Sequence, residues 1–191
     1  MGLLQEILDY NQEFVATKQY EAFLTSKYPS KRAAIVACMD ARLIELLLQA
    51  MNMKNGDANL VKVVGGDVSQ AYEGVIRSLI ISIYEFHVEE IFIVGHHHCG
   101  AQHLTPEQVF NEIEAEGINI NRNNQQLIDY FTGFGDLEES VRKNVALVKS
   151  HPLIPERIKV HGLLIDPETG KLDLVQTANQ VERKEKELLM V

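Results

Sequence analysis

Short apolar runs with β-branched centres return along this chain, each too short for a helix and each followed by a stretch of helical spacing. "AAIVAC" (Ala33 to Cys38), "LVKVV" (Leu60 to Val64) and "EIFIVG" (Glu90 to Gly95) are the clearest of them. Short apolar runs of this kind suit strands buried on both faces of a parallel sheet. Between them, Arg42 to Met53 and Ala71 to Phe86 carry apolar residues at helical intervals, and Asn55-Gly56 is a stop signal after the first. Strands alternating with helices predict an α/β fold, a mainly parallel central β-sheet flanked by helices.

Further along, Pro106 to Ala115, Arg122 to Phe131 and Leu137 to Ser150 read as polar helices of a solvated excursion. "RIKVHGLLIDPETGKLDLV" predicts a fourth strand, a Pro-Glu-Thr-Gly turn and a short return strand. Leu3 to about Lys27 has amphipathic helical spacing through Leu4, Ile7, Leu8, Phe14, Tyr20 and Phe23, and Thr177 to Met190 reads as a charged helix. The expected division is an N-terminal helical arm, residues 1–28, and a single α/β domain, residues 29–191. A chain of 191 residues, 46% of them hydrophobic, has enough apolar surface for one sizeable core. No apolar stretch approaches the roughly 18 residues of a membrane span. The N-terminus lacks the pattern of a secretory signal, so a soluble cytoplasmic protein is expected. A net charge of -9 argues against nucleic acid and against an anionic membrane surface as partners.

The chain has two cysteines, and each stands just after an apolar run. In open α/β sheets ligands bind beyond the carboxyl ends of strands, so Cys38 and the segment "GHHHCG" (Gly95 to Gly100) can meet at one edge. His96 and Cys99 have H-x-x-C spacing, which can chelate one ion from a single turn. With Cys38 as third ligand, two thiolates and an imidazole suit one Zn²⁺ per chain and leave a fourth position for water. Zinc makes such a water acidic enough to supply hydroxide near neutrality. Two thiolates neutralise the dication, so activity is expected to rise on the alkaline side.

Asp40 either accepts a hydrogen bond from that water or takes the fourth position itself, and Arg42 can hold its carboxylate bidentately. Plainer roles exist for each residue alone: a buried cysteine is a small hydrophobe, and Asp40 can cap the helix that follows. The four together favour the metal. His97 and His98 read as turn histidines; their sharper role, shared with His103, is proton transfer to buffer. His87, His151 and His161 lie outside the cluster and are expected to do nothing special.

"CMDAR" (Cys38 to Arg42) with "GHHHCG" resembles the β-class carbonic anhydrases, whose pattern is C-x-D-x-R followed by H-x-x-C. The likeness extends through "GDANLVKVVGGDVS", "VIRSLIIS" and "VHGLLIDPETGKLDLV", covering roughly Pro29 to Val175. It implies zinc on Cys38, His96 and Cys99, Asp40 and Arg42 as a catalytic dyad, and reversible hydration of CO₂ to bicarbonate and a proton. It also implies a homodimer or higher homo-oligomer, with N-terminal helices embracing the neighbour. Two departures stand out: Lys62-Val63-Val64-Gly65 replaces the family's common Arg-Asn-Ala-Gly, and Ile35 stands where some bicarbonate-inhibited members carry tryptophan. The first implies an altered substrate pocket or anion site, since lysine keeps the charge of arginine but not its fork.

Three other functions fit parts of the pattern. The same zinc chemistry could act on CS₂ or COS. A non-catalytic zinc protein would have its fourth position closed by Asp40. One cysteine could be a nucleophile with a histidine base, which leaves the other without a role.

Overall fold

The computed structural model describes residues 2–68 and 74–177. Five strands form one sheet in the order β2-β1-β3-β4-β5: β1 (Ala33–Cys38), β2 (Ala58–Val63), β3 (Glu90–His96), β4 (Lys159–Ile165) and β5 (Leu172–Gln176). The first four are parallel, and β5 returns antiparallel to β4. This is the mainly parallel α/β sheet that the apolar runs predict. All six residues of β1 are buried, because it lies between β2 and β3 and both of its faces are covered.

The chain runs from β1 to β2 on one side and then crosses to β3 on the other. The order therefore reverses around β1, and a crevice opens where β1 and β3 end. Those ends are Cys38 and His96.

One face of the sheet is covered by α2 (Leu43–Ala50), whose buried Leu43 and Leu47 meet Ile35, Ala37, Val94 and Ile165. α2 is shorter than its apolar spacing predicts, because Asn52 takes a left-handed φ of 50° and turns the chain toward β2. The other face carries α3 (Gly74–Tyr84) and α6 (Leu137–Ser150), packed on Ala34, Val36, Ile91, Ile93 and Val160. Of the helix expected from Ala71 to Phe86, α3 covers Gly74–Tyr84; residues 71–73, like the expected tail helix beyond Thr177, lie outside the described residues.

The reading of Pro106 to Ser150 as a solvated excursion is corrected here. In α6, Val141, Val145 and Val148 form a buried stripe against β3 and β4, and Asn144 beside them is buried too. Its polar residues occupy the outer face, so the helix looked solvated although a narrow apolar seam was present. Gly95 and Gly162 permit the close approach: a Cβ on Gly95 would stand 2.8 Å from Val141, and one on Gly162 2.7 Å from it. α4 (Pro106–Ala115) and α5 (Gln125–Phe131) pack on each other, with Phe110 buried against Phe131 in an edge-on ring contact. α4 begins as its sequence predicts, with Thr105 and Gln108 forming a capping box.

α1 (Leu3–Ala16) and a 3₁₀ turn (Gln19–Phe23) form the N-terminal segment. No residue of either is buried, and Leu3, Leu4, Ile7, Leu8 and Tyr10 are exposed. Among the described residues no helix is long and apolar enough to cross a membrane.

Candidate metal centre

Cys38 ends β1, His96 ends β3, and Cys99 lies in the turn that follows. All three are buried, and their ligand atoms lie within 4.8 Å of one another. The two sulfurs are 3.9 Å apart, with no disulfide between them. Asp40 is not part of this group.

The His96 ring shows its orientation. Its Nδ1 lies 2.9 Å from the carbonyl oxygen of His97, so Nδ1 carries the proton and donates it there. Nε2 is left as the acceptor, buried and without a hydrogen-bond partner among the described residues. A buried polar atom without a partner is costly, and an imidazole nitrogen within 4.8 Å of two sulfurs is a donor set that a cation-binding pocket requires. The donor set of two sulfurs and one imidazole suits a tetrahedral, borderline-soft ion with one position open.

The three groups are coupled electrostatically. The two sulfurs share one proton: the hydrogen bond to Cys99 draws the Cys38 thiol down against the opposing effect of burial, and the same bond pushes Cys99 up. Backbone N–H groups of Gly65 and Ala101 also favour sulfur charge at Cys38 and Cys99. Burial opposes a charged His96 ring, but Cys38 and the His97 carbonyl outweigh it and raise its pKa.

Asp40 stands beside the cluster, with Oδ2 3.9 Å from His96 Nε2. Its carboxylate accepts from the Arg42 backbone N–H at 2.9 Å, from Nε at 3.0 and 3.2 Å, and from Nη2 at 2.7 Å. The Arg42 guanidinium holds Asp40 well below the usual carboxylate range. Arg42 Nη2 also donates to the carbonyl oxygen of His98 at 3.3 Å, which ties the pair to the turn after β3.

The other histidines do not join the cluster. His97 is half-buried, and His98 and His103 are exposed; His98 takes a left-handed φ of 56°. His87 stacks on Tyr28, His161 stacks on Phe92, and buried His151 accepts the Leu153 N–H through Nδ1.

Two features next to the cluster go beyond the sequence reading, in which Lys62 marks only an altered substrate pocket or anion site. Lys62 donates to the main-chain oxygen of Asp40 at 3.0 Å. A cavity of about 370 Å³ also adjoins Gly65 and Ala101, with Val64, Leu104, Tyr130 and Phe134 among its walls. Its outer wall comes from the supposed solvated excursion. The local signal was Gly133-Phe134-Gly135: a Cβ on Gly133 would stand 2.5 Å from the Ala101 oxygen, so glycine lets this segment lie against the metal-side turn.

The carbonic anhydrase family profile matches residues 33–172. YvdA of Bacillus subtilis (strain 168), provisionally named a carbonic anhydrase, is 45% identical over 188 residues, 95% of each chain. The crystal structure of β-carbonic anhydrase isoform I from Trichomonas vaginalis superposes with a TM-score of 0.82 at 33% identity, covering 93% of this chain and 100% of that one. A carbon disulfide hydrolase of Acidithiobacillus thiooxidans is 26% identical over 157 residues, 75% of this chain and 76% of its own.

Proposed function

Since the chain belongs to the β-carbonic anhydrase family, we propose that it catalyses the reversible hydration of CO₂ to bicarbonate and a proton. Cys38, His96 and Cys99 are the residues that would hold one Zn²⁺ per chain. The observation that carries this reading is the buried, unpartnered His96 Nε2 grouped with two sulfurs that form no disulfide, beside an Arg42-clamped carboxylate. When bound, the ion supplies a Lewis acid that brings a water's pKa toward neutrality.

The remaining work falls to the chain. His97 fixes the His96 tautomer through Nδ1. Asp40, kept ionised by Arg42, can only accept hydrogen bonds, so it orients the attacking water and fixes the direction of its lone pair. The bidentate clamp supports an open fourth position over one closed by Asp40, because an Asp40 turned to the metal would have to leave two Arg42 donors. The apolar walls around the cavity next to Gly65 and Ala101 suit a small uncharged substrate.

The protein acts as a cytoplasmic homodimer or higher homo-oligomer. Support comes from residues 1–28, whose α1 buries nothing in its own chain while exposing Leu3, Leu4, Ile7 and Leu8; this arm packs on a neighbouring subunit. Residues 29–191 make up the catalytic domain. A second reading, hydrolysis of CS₂ or COS, is favoured by the likeness to carbon disulfide hydrolases.

Stopped-flow hydration of CO₂ by protein carrying one zinc per chain tests the proposal. Activity that rises with pH and disappears in Cys38→Ser is expected. A zinc-loaded protein inert toward CO₂ but active on CS₂ would transfer the reading to the second substrate. Inertness toward both would favour a non-catalytic zinc protein.

A further inference from the structure

Asp40 is wired to the strands on both sides of β1. Its main-chain oxygen accepts the Leu43 N–H at 3.1 Å, the first bond leading into α2, and also accepts from Lys62 Nζ on β2 at 3.0 Å. Its carboxylate is gripped by Arg42, which reaches the His98 oxygen on the β3 side. Both lone pairs of the Asp40 carbonyl are thus engaged.

The sheet dictates why Lys62 can reach. It stands opposite Ala37 in the β1–β2 register, one residue before Cys38. Its neighbours Val61 and Val63 join the core on the α3 side, while Leu60 joins that on the α2 side. Strand alternation therefore sends Lys62 to the α2 face at the carboxyl edge, beneath the loop carrying Asp40. The long stem spans the gap and the ammonium meets the carbonyl in a half-buried setting, where a charge-assisted hydrogen bond is strong.

We infer that Lys62 is a positioning residue: by holding the Asp40 carbonyl, it sets the direction in which the Asp40–Arg42 pair faces the Cys38–His96–Cys99 cluster. The inference rests on the use of Asp40 proposed above. Arg42 fixes where the carboxylate ends; Lys62 fixes where the residue begins. Arg42 is itself half-exposed, so losing the Lys62 bond leaves the Asp40 carbonyl on the Leu43 N–H alone; the residue then shifts against the guanidinium and its bonds to Arg42 Nε open more often.

Lys62→Met, which removes the donor and keeps most of the length, tests this against Lys62→Arg, which keeps a donor. Two readouts are taken: exchange of the Arg42 Nε–H by ¹⁵N NMR in metal-free protein, and kcat and KM for CO₂ in zinc-loaded protein. Lys62→Met should speed that exchange by about tenfold, the equivalent of one lost hydrogen bond. It should also lower kcat on the order of tenfold with little change in KM, as expected from misplacing a catalytic group. Lys62→Arg should restore both.

Unchanged exchange and unchanged kcat in Lys62→Met overturn the inference. Should Lys62→Met not fold, Lys62→Gln, whose shorter side chain does not span the gap to the Asp40 carbonyl, is expected to give the same faster exchange and lower kcat, and unchanged values overturn the inference equally. A wild type inert toward CO₂ defeats the proposed reaction, and the Arg42 signal then still decides the tether. An active wild type with an indifferent Lys62→Met defeats the tether alone.

Discussion

Replacing Asp40 with asparagine separates the open from the closed form of the site. The shape is kept, but the charge goes and one acceptor becomes a donor. In whichever flip the amide settles, its NH₂ meets donors. At the Oδ1 position it faces the Arg42 backbone N–H and Nε at 2.9 and 3.0 Å; at the Oδ2 position it faces Nη2 and Nε at 2.7 and 3.2 Å. Either way two of the four accepted bonds become donor–donor contacts, and the side chain must turn away from Arg42. The substitution therefore removes the acceptor that orients the attacking water and also loosens what remains of the side chain. Losing the group that positions a reacting atom costs roughly 10²-fold or more. The expected fall in kcat/KM is about 10²- to 10³-fold, or ~3–4 kcal/mol of transition-state stabilisation. Zinc content should stay at one per chain, because Asp40 is outside the three-residue cluster. The wild-type carboxyl is held ionised well below the usual range, so the deficit should persist at every pH above that range. The assay is stopped-flow CO₂ hydration with metal content measured on the same samples. Equal or higher activity in Asp40→Asn, or a loss of zinc from it, would refute the reasoning and show Asp40 to be a ligand that shuts the site.

Gly95→Ala should destabilise the fold, since the new Cβ meets Val141 at 2.8 Å, Leu164 at 2.9 Å and Leu137 at 3.2 Å. Overpacking of this kind costs about 1–3 kcal/mol, read as a lowered midpoint in chemical denaturation; a midpoint equal to wild type contradicts the packing of α6 on β3. Asp57 accepts from Ser30 Oγ at 2.6 Å and from the Lys54 N–H at 3.0 Å, and the Ser30 bond leads in lowering its pKa. A depressed carboxylate stabilises fully above its unfolded value, about 3.9, and loses that contribution as pH falls through the lower folded value. Asp57→Asn should therefore unfold more easily than wild type near neutrality, with the gap closing in acid; a gap independent of pH rules this out. Leu4→Glu combined with Ile7→Glu places charge on the exposed face of α1 and should yield a monomer by sedimentation velocity; an unchanged oligomer removes the arm from the interface.

Local physics made much of the protein legible in its sequence. Ala33 to Cys38 reads as a strand because a short β-branched run can hide only between two other strands, and β1 has those bounds. Thr105 and Gln108 announce α4 by satisfying each other's backbone donors. The spacing of His96 and Cys99, one turn apart after a strand, marks a chelating pair because both side chains leave a single short segment. In α6 the stripe of Val141, Val145 and Val148 was present, but polar neighbours on the outer face masked it.

What tertiary structure alone decided is which distant segments touch. The order β2-β1-β3 brings the Cys38 and Cys99 sulfurs to 3.9 Å. It lets Arg42 reach the His98 oxygen and Lys62 the Asp40 oxygen, and it seats Gly133 against Ala101. These contacts join residues with no period or spacing in common. Each depends on strand register and on helices packed to the last ångström, a property of the whole assembled core. Residue types and local periodicity therefore determined the elements, the candidate ligands and the pairing of Asp40 with Arg42, while the meeting of Cys38 with His96 and Cys99, and the ties of that pair to His98 and Lys62, were decided only once the sheet had formed.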